Sequence, residues 1–377
     1  MRIAQVSPLY ESVPPASYGG TERVVSYLTE ELVRQGHDVT LFASGDSKTA
    51  ARLEPVVKRA LRLHGKDGDP IVPHLVMLER VDRLARSGAF DAVHYHTDYF
   101  SFPYARRLAA PSVVTIHGRL DVPDLKMMYG EFADVPLVSI SDAQRRPQAR
   151  ANWAATVYHG LPPRLYRAGP GPRSRRGEYV VFLGRISPEK RPDLAIRIAR
   201  RAGVELRIAA KVDAVDRAYF ESEIRPMLGG PGVQFLGEIS DREKNELLGG
   251  ALAVLFPIDW PEPFGLVMIE SMACGTPVIA FPRGSVPEVI DDGVTGLIVE
   301  GVEAAAEAVH RVRGMDRAAC RARYEERFTS SRMAREYVEV YESLRGPPAG
   351  RPGAGREAAS RGRSPAGPRT RKGARTR

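Results

Sequence analysis

Two glutamates eight positions apart, Glu262 and Glu270, flank Phe264-Gly265 in the run LFPIDWPEPFGLVMIESMACGTPVIAFPRGSVPEVI at 255–290. The sequence predicts a buried strand ending at Phe256, a loop over 257–263, a helix over 264–273 with Pro263 at its first position, and a second strand over 276–281. The helix start offers N–H groups at Phe264, Gly265 and Leu266, and Gly265 permits close approach of a ligand to the backbone. An anion held there would have one carboxylate beside its sugar end and another beside its nucleoside end. A second charged group is GRISPEK at 184–190, where Arg185 pairs a fork-shaped guanidinium with the mobile ammonium of Lys190. Such a pair suits the neutralisation of a diphosphate leaving group. Taken alone, that loop would read as two solvated cations.

These residues need a scaffold that brings them to one edge. Residues 2–6 form a short apolar strand, followed by a loop with Pro14, Pro15 and Gly19-Gly20. Thr21 is positioned to cap a helix whose apolar face is Val24, Val25, Leu28, Leu32 and Val33, ended by Gly36, and 39–43 is the next strand. The Gly19-Gly20 turn suits a phosphate or a closely approaching sugar, although a tight turn explains it about as well. Further strands are expected at 92–95, 113–116 and 137–139, each ending in polar residues, among them His94, His96 and His117. In a parallel sheet those carboxyl ends share an edge, so His117 faces the same cleft as Gly19 and Gly20. A hydrogen-bonded structural role is the expectation for His94 and His96.

Residues 161–178 have the proline, glycine and charge of a linker, and the α/β rhythm then restarts with strands at 179–183, 205–209, 233–236 and 251–256. Helices are expected at 192–202 and 241–248. Two successive parallel α/β units leave a cleft between them. The chain of 377 residues is also too long for one ordinary core.

The formal charge of +9 is concentrated at one end: from Gly346 onward nine Lys and Arg face only Glu357, so the remainder is close to neutral. That tail is rich in Pro, Gly, Ala and Ser and is expected to be disordered, with at most peripheral contact to a membrane and no specific nucleic-acid partner. Cys274 and Cys320 are too few for a disulfide framework or a thiolate metal site. No signal peptide or bilayer-spanning run is visible, and a cytoplasmic location is expected. Asp67-Gly68-Asp69 matches a D-x-D pattern, but its Gly-rich setting before a strand expected near Ile71 favours a plain turn.

Four segments in order, GGTERVV at 19–25, TIHG at 115–118, GRISPEK at 184–190 and EPFGLVMIESMACGTPVIA at 262–280, resemble the GT-B-fold glycosyltransferases of family 4. The similarity extends to Leu344, and its wording also resembles a bacterial subgroup that includes antibiotic-tailoring sugar transferases. One departure sits at Tyr158-His159-Gly160, where many members carry Asn-Gly. The resemblance implies an α/β GT-B architecture of two Rossmann-like parallel-sheet domains. Residues 1–165 would be the acceptor-side domain and 166–327 the nucleotide-sugar domain. Residues 328–345 would be a helix crossing back to the first domain, and 346–377 the basic tail.

The resemblance further implies retaining transfer of a hexosyl unit from a nucleotide sugar, UDP- or GDP-linked, to a hydroxyl acceptor, with no metal or other cofactor. Glu270 would take the ribose hydroxyls, and Glu262 the transferred sugar and the positive charge at its anomeric carbon. Arg185 and Lys190, with the N–H groups of Phe264, Gly265 and Leu266, would hold the diphosphate. Gly19 and Gly20 would let their loop approach the donor, and His117 would stand beside sugar and acceptor. Gly284 and Ser285 would line the wall. A same-fold epimerase or phosphorylase, or a non-catalytic nucleotide-sugar-binding protein, are the alternative readings.

Overall fold

The computed structural model describes residues 1–16, 19–63, 68–172 and 178–345. The expected tail, Asp67 of the D-x-D triplet and residues 173–177 of the expected linker lie outside these.

Among the described residues, thirteen strands build two sheets. The first has β1 (Arg2–Val6), β2 (Asp38–Ser44), β3 (Arg52–Val57), β4 (Ala92–Tyr95), β5 (Ser112–Thr115), β6 (Leu137–Ser139) and β7 (Trp153–Thr156) in the order β3-β2-β1-β4-β5-β6-β7, every pair parallel. The second has β8 (Tyr179–Arg185), β9 (Glu205–Lys211), β10 (Val233–Gly237), β11 (Ala253–Phe256), β12 (Val278–Ala280) and β13 (Gly296–Ile298) in the order β10-β9-β8-β11-β12-β13, again all parallel. Each sheet therefore runs outward from its first strand and then reverses. The crevices open at the carboxyl ends between β1 and β4 and between β8 and β11. These are two Rossmann-like α/β units, as expected.

The strands read as apolar runs because helices cover both faces. Ile3, Ala4 and Val6 of β1 and Val180 and Val181 of β8 are fully buried. Strand β3 contains Pro55 and lies at the sheet edge, the place where a residue without an N–H is tolerated.

Several local expectations are corrected. Residues 71–86 form a helix, Ile71–Arg86, where a strand was expected near Ile71; Asp69 accepts a hydrogen bond from the Ile71 N–H at 2.8 Å. The first long helix is Gly20–Arg34, with Gly19 rather than Thr21 at its cap. A Cβ on Gly19 would lie 2.8 Å from that of Pro15, so close packing of the loop on itself requires glycine there. The second-half helix is Leu266–Ala273, with Gly265 as its left-handed cap (φ +79°), so Pro263 lies in the preceding loop.

The helix Ser330–Leu344 packs against the first sheet. Its Tyr337 hydroxyl is 2.9 Å from Thr115 Oγ1, and its Tyr341 hydroxyl accepts from Gln5 Nε2 at 3.1 Å. The crossing is tight at Gly160, where a Cβ would come within 2.2 Å of the Thr329 carbonyl oxygen.

Candidate active site

A cleft of about 710 Å³ lies between the carboxyl ends of the two sheets. Gly19, Gly20, His117, Arg185, Lys190, Glu262, Phe264, Gly265, Leu266 and Glu270 all line it. The structure thus gathers these ten residues, contributed by four separate strand-to-helix connections and the Leu266–Ala273 helix.

The loop after β11 presents Glu262, which is only 7% exposed. Lys190 forms an ion pair with Glu262 Oε2, and the Trp260 indole N–H donates to the same oxygen at 2.8 Å. The Lys190 ammonium also stands 4.7 Å over the Trp260 ring, a cation–π contact. Behind the loop, Ser285 N–H donates to the Glu262 carbonyl at 2.9 Å and Ser285 Oγ–H to that of Phe264 at 2.8 Å. A Cβ on Gly284 would come within 2.3 Å of Glu262 backbone atoms. Gly284 and Ser285 therefore brace the Glu262 loop from behind instead of lining the cleft wall.

One turn into the helix, Glu270 is 4% exposed. Its Oε1 accepts from Lys244 Nζ at 2.9 Å and from the Tyr166 hydroxyl at 3.1 Å. Lys244 comes from the helix Asp241–Gly250, whose Ser240 and Glu243 form a reciprocal capping box. Asp241 at its start takes Arg23 of the first long helix at 2.7 Å, an ion pair that joins the two halves. Burial would raise the Asp241 carboxyl, but Arg23 and Lys244 outweigh it and hold it below the usual range.

Arg185 lines the cleft with its guanidinium engaged by Glu189 at 2.5 Å, Asp216 at 3.3 Å and Asp213 at 4.0 Å. The fork expected to face an anion directly is shared among carboxylates. Phe264 is also different from expectation: its ring is 2% exposed and packs edge-on against His159 at 4.9 Å, while its carbonyl is held by Ser285. The first-turn N–H groups belong to Leu266 and Val267, and both residues line the cleft.

His117 closes the first-sheet side. Burial pushes its imidazole down to about 3, so the ring is neutral. A chain of contacts sets its tautomer. His96 Nε2 is 2.8 Å from Gln5 Oε1, an acceptor in the assigned amide orientation, so His96 donates from Nε2 and its Nδ1 is an acceptor. His117 Nε2 lies 2.9 Å from that Nδ1 and must carry the proton. Nδ1 of His117 is left as a hydrogen-bond acceptor. His94 lies within the same network, bonded to Thr115 at 2.7 Å and Tyr341 at 2.8 Å, the structural role expected of it. His159 stacks on His117 with centroids 5.4 Å apart, so the departure at 158–160 places an imidazole between His117 and Phe264.

Lys244, Tyr166, Trp260, Arg23 and Asp241 were not singled out from the sequence. Trp260 is legible in the sequence as an indole two residues from a site carboxylate. Lys244 and Arg23 are ordinary polar positions of amphipathic helices, with no local signal. No group of three or more His, Cys, Asp or Glu side chains among the described residues is arranged to hold a metal ion. No helix among the described residues is long and apolar enough to cross a membrane.

Residues 18–161 match the family described as Glycosyltransferase Family 4, and residues 171–325 the one described as Glycosyl transferases group 1. The D-inositol 3-phosphate glycosyltransferase of Mycolicibacterium smegmatis is 27% identical over 328 residues, 75% of each chain. That of Mycobacterium tuberculosis strain H37Ra is 29% identical over 258 residues, 59% of this chain and 54% of the other. Among solved structures, AviGT4, a glycosyltransferase involved in avilamycin A biosynthesis, superposes with a TM-score of 0.68 at 24% identity, over 92% of this chain and 98% of its own. Anabaena HepE, solved with UDP and glucose, gives 0.69 at 20% identity over 91% and 100%. The chain belongs to the GT-B glycosyltransferases of family 4, the glycosyl transferases group 1.

Proposed function

We propose that this enzyme transfers a hexosyl unit from a nucleoside-diphosphate sugar to an acceptor hydroxyl with retention of anomeric configuration and without a required metal. The observation that carries the reading is the placement of two buried carboxylates, each paired with a lysine, at successive depths of one cleft beside a helix N-terminus. HepE binds UDP and glucose in a related fold, which supports a nucleotide-sugar donor of the same kind.

The nucleoside end lies at Glu270. Lys244 and Tyr166 engage one of its oxygens, and the other accepts from the ribose hydroxyls. The diphosphate lies along Leu266 and Val267, where N–H groups and the helix dipole favour negative charge. Lys190 has three donors, so it remains on Glu262 while donating to a phosphate oxygen. Arg185, from the same connection as Lys190, joins by releasing one of its carboxylate partners. Glu262 then faces the sugar and the charge that develops at its anomeric carbon, and His117 Nδ1 accepts from a sugar hydroxyl.

In the transfer, the bond from the anomeric carbon to the phosphate oxygen breaks and its electron pair leaves with the nucleoside diphosphate. The acceptor oxygen forms the new bond on the same face, and its proton passes to the departing phosphate oxygen. Stabilising the leaving group is the main electrostatic task, and the cations and the helix start supply it.

The test is the product. Incubation with UDP-glucose or GDP-mannose and an accepted hydroxyl compound, followed by NMR of the new anomeric centre, should give the donor's configuration, with turnover unaffected by EDTA. An inverted product overturns retention, and activity abolished by EDTA and restored by a divalent ion overturns metal independence.

A further inference from the structure

The groups assigned to the transferred sugar come from different halves of the chain: His117 follows β5 in the first sheet, and Glu262 follows β11 in the second. Neither sheet alone sets their separation. The Arg23–Asp241 pair joins the halves at the nucleoside end, beside Lys244 and Glu270. A second crossing lies at the reacting end.

Glu288 makes that crossing. It belongs to the four-residue helix Val286–Val289, which starts directly after Ser285. Its half-buried carboxylate reaches into the first half and accepts from two successive backbone N–H groups. Oε2 takes that of Asp142 at 2.7 Å and Oε1 that of Ala143 at 2.6 Å. These open the helix Asp142–Arg145 and have no partner within it. The Tyr158 hydroxyl donates to Oε2 at 3.2 Å, which gives the first residue of the Tyr158-His159-Gly160 departure a role. A carboxylate with one oxygen on each of two adjacent N–H groups fixes orientation as well as distance.

The connection continues on both sides. In the second half, the Glu288 N–H donates to the Ser285 carbonyl at 2.9 Å, and Ser285 in turn holds the carbonyls of Glu262 and Phe264. Arg327 donates to the Glu288 carbonyl at 2.6 Å, so the short helix is also fixed to its own half. In the first half, Gln144 is buried one position beyond Ala143. Its Nε2 donates to the carbonyls of Ile116 at 2.9 Å and Gly118 at 2.8 Å, the two residues that flank His117. Its Oε1 accepts from the Ile140 N–H at 2.9 Å. Both amide protons of this side chain are thus spent on the His117 turn.

A run of hydrogen bonds and short backbone therefore leads from Glu262 through Ser285 and Glu288, across to Asp142 and Ala143, and through Gln144 to either side of His117. Arg119, next to Gly118, stands with its guanidinium 5.7 Å from the Trp260 ring, so the loops carrying His117 and Glu262 face each other at this level. Neither Glu288 nor Gln144 lines the cleft.

We propose that Glu288 and Gln144 are positioning residues for the transfer: they register His117 of one half against Glu262 of the other, so that both meet the same sugar. The inference rests on the glycosyltransferase reading of the cleft. Reaction geometry tolerates little error, and a shift of about 1 Å can cost on the order of 100-fold in rate.

The experiment is made on the full chain. Glu288→Ala should lower kcat by about tenfold or more and change UDP affinity by less than about twofold, because Glu270, Lys244 and Tyr166 stay in place. Glu288→Gln keeps one acceptor for two N–H groups and should fall between. A kinetic double-mutant cycle separates register from general loosening. In a His117→Ala background the further loss from Glu288→Ala should shrink to less than about twofold, since no imidazole is left to register. An equal loss in both backgrounds overturns the proposal, as does wild-type kcat in Glu288→Ala. A second readout needs no turnover: the imidazole NMR signals of His117, assigned through His117→Gln, should move in Glu288→Ala and stay in Tyr158→Phe, which keeps the bridge. Unmoved signals in Glu288→Ala, or equal movement in both variants, overturn the proposal. Absence of both transfer and UDP binding in the wild type would refute the reading of the cleft, and the His117 signals would still decide the bridge.

Discussion

Lys244 Nζ lies 2.9 Å from Glu270 Oε1, and that single contact ties the base of the cleft to the helix that also carries Asp241. Through Asp241, the same helix is bridged to Arg23 of the first half at 2.7 Å. The carboxylate assigned to the nucleoside is therefore connected through two ion pairs to the opposite side of the cleft.

That bridge has a measurable strength. Arg23 is largely buried and Asp241 more exposed, with side-chain exposures of 16% and 37%. A double-mutant cycle with Arg23→Met and Asp241→Asn should give a coupling of about 1 kcal/mol in unfolding free energy. Additive effects would mean that the contact contributes nothing.

Gly284 supports the Glu262 loop from behind. It has φ +56°, and a Cβ would lie 2.3 Å from Glu262 N and O. Gly284→Ala combines a disfavoured backbone with a clash against backbone atoms, so it should cost at least ~2 kcal/mol of stability and displace the loop. Turnover should fall more than nucleotide affinity, since Glu270 is held separately by Lys244 and Tyr166. Calorimetric melting and kinetics on the same preparation check both parts; wild-type kcat in this variant would show that the brace is dispensable.

Asp98 gives a pH dependence with a defined sign. Its folded-state value is raised to about 6 from an ordinary 3.8, mainly by burial and against the hydrogen bond from the His117 N–H. The folded protein therefore binds more protons than the unfolded chain between these values, and stability falls as pH rises from about 4 to 6. Asp98→Asn removes that penalty and suits the left-handed backbone at φ +47°. The variant should melt higher than wild type at pH 8, by no more than ~3 kcal/mol in stability, with the gain vanishing near pH 4. A gain independent of pH would mean that the carboxyl is not the cause.

His117, by contrast, should contribute no titration between pH 5 and 8, because burial keeps its ring neutral down to about 3. His117→Gln retains a hydrogen-bond acceptor and should keep more activity than His117→Ala, with parallel pH profiles for both. A profile limb near pH 6.5 that disappears in both variants would assign a protonated histidine to the site instead.

Much of the site was legible because its chemistry sits on glycine- and proline-punctuated turns. Such turns announce themselves locally, and parallel strands deliver them to one edge. Glu262, Glu270, Arg185, Lys190, Gly19, Gly20 and His117 meet in one cleft for that reason. What was missed depends on distant contacts. Lys244 meets Glu270 across 26 positions of sequence, and Arg23 meets Asp241 across 218. No pattern within either helix marks them. Strand β3 went unread because Pro55 argues against a strand until its edge position is known. The helix Ile71–Arg86 went unread at its start because Ile71 and Val72 look β-like, and both prove exposed.

Glu270 is assigned as the nucleoside carboxylate, and nucleotide binding to wild type and Glu270→Ala tests that assignment most directly. A thermal-shift series with UDP, GDP, ADP and TDP should find one nucleotide that stabilises the wild type strongly, by mass action on the folded state, and lose at least tenfold in apparent affinity in the variant. An undiminished shift in Glu270→Ala, or no shift with any nucleotide in the wild type, would contradict it.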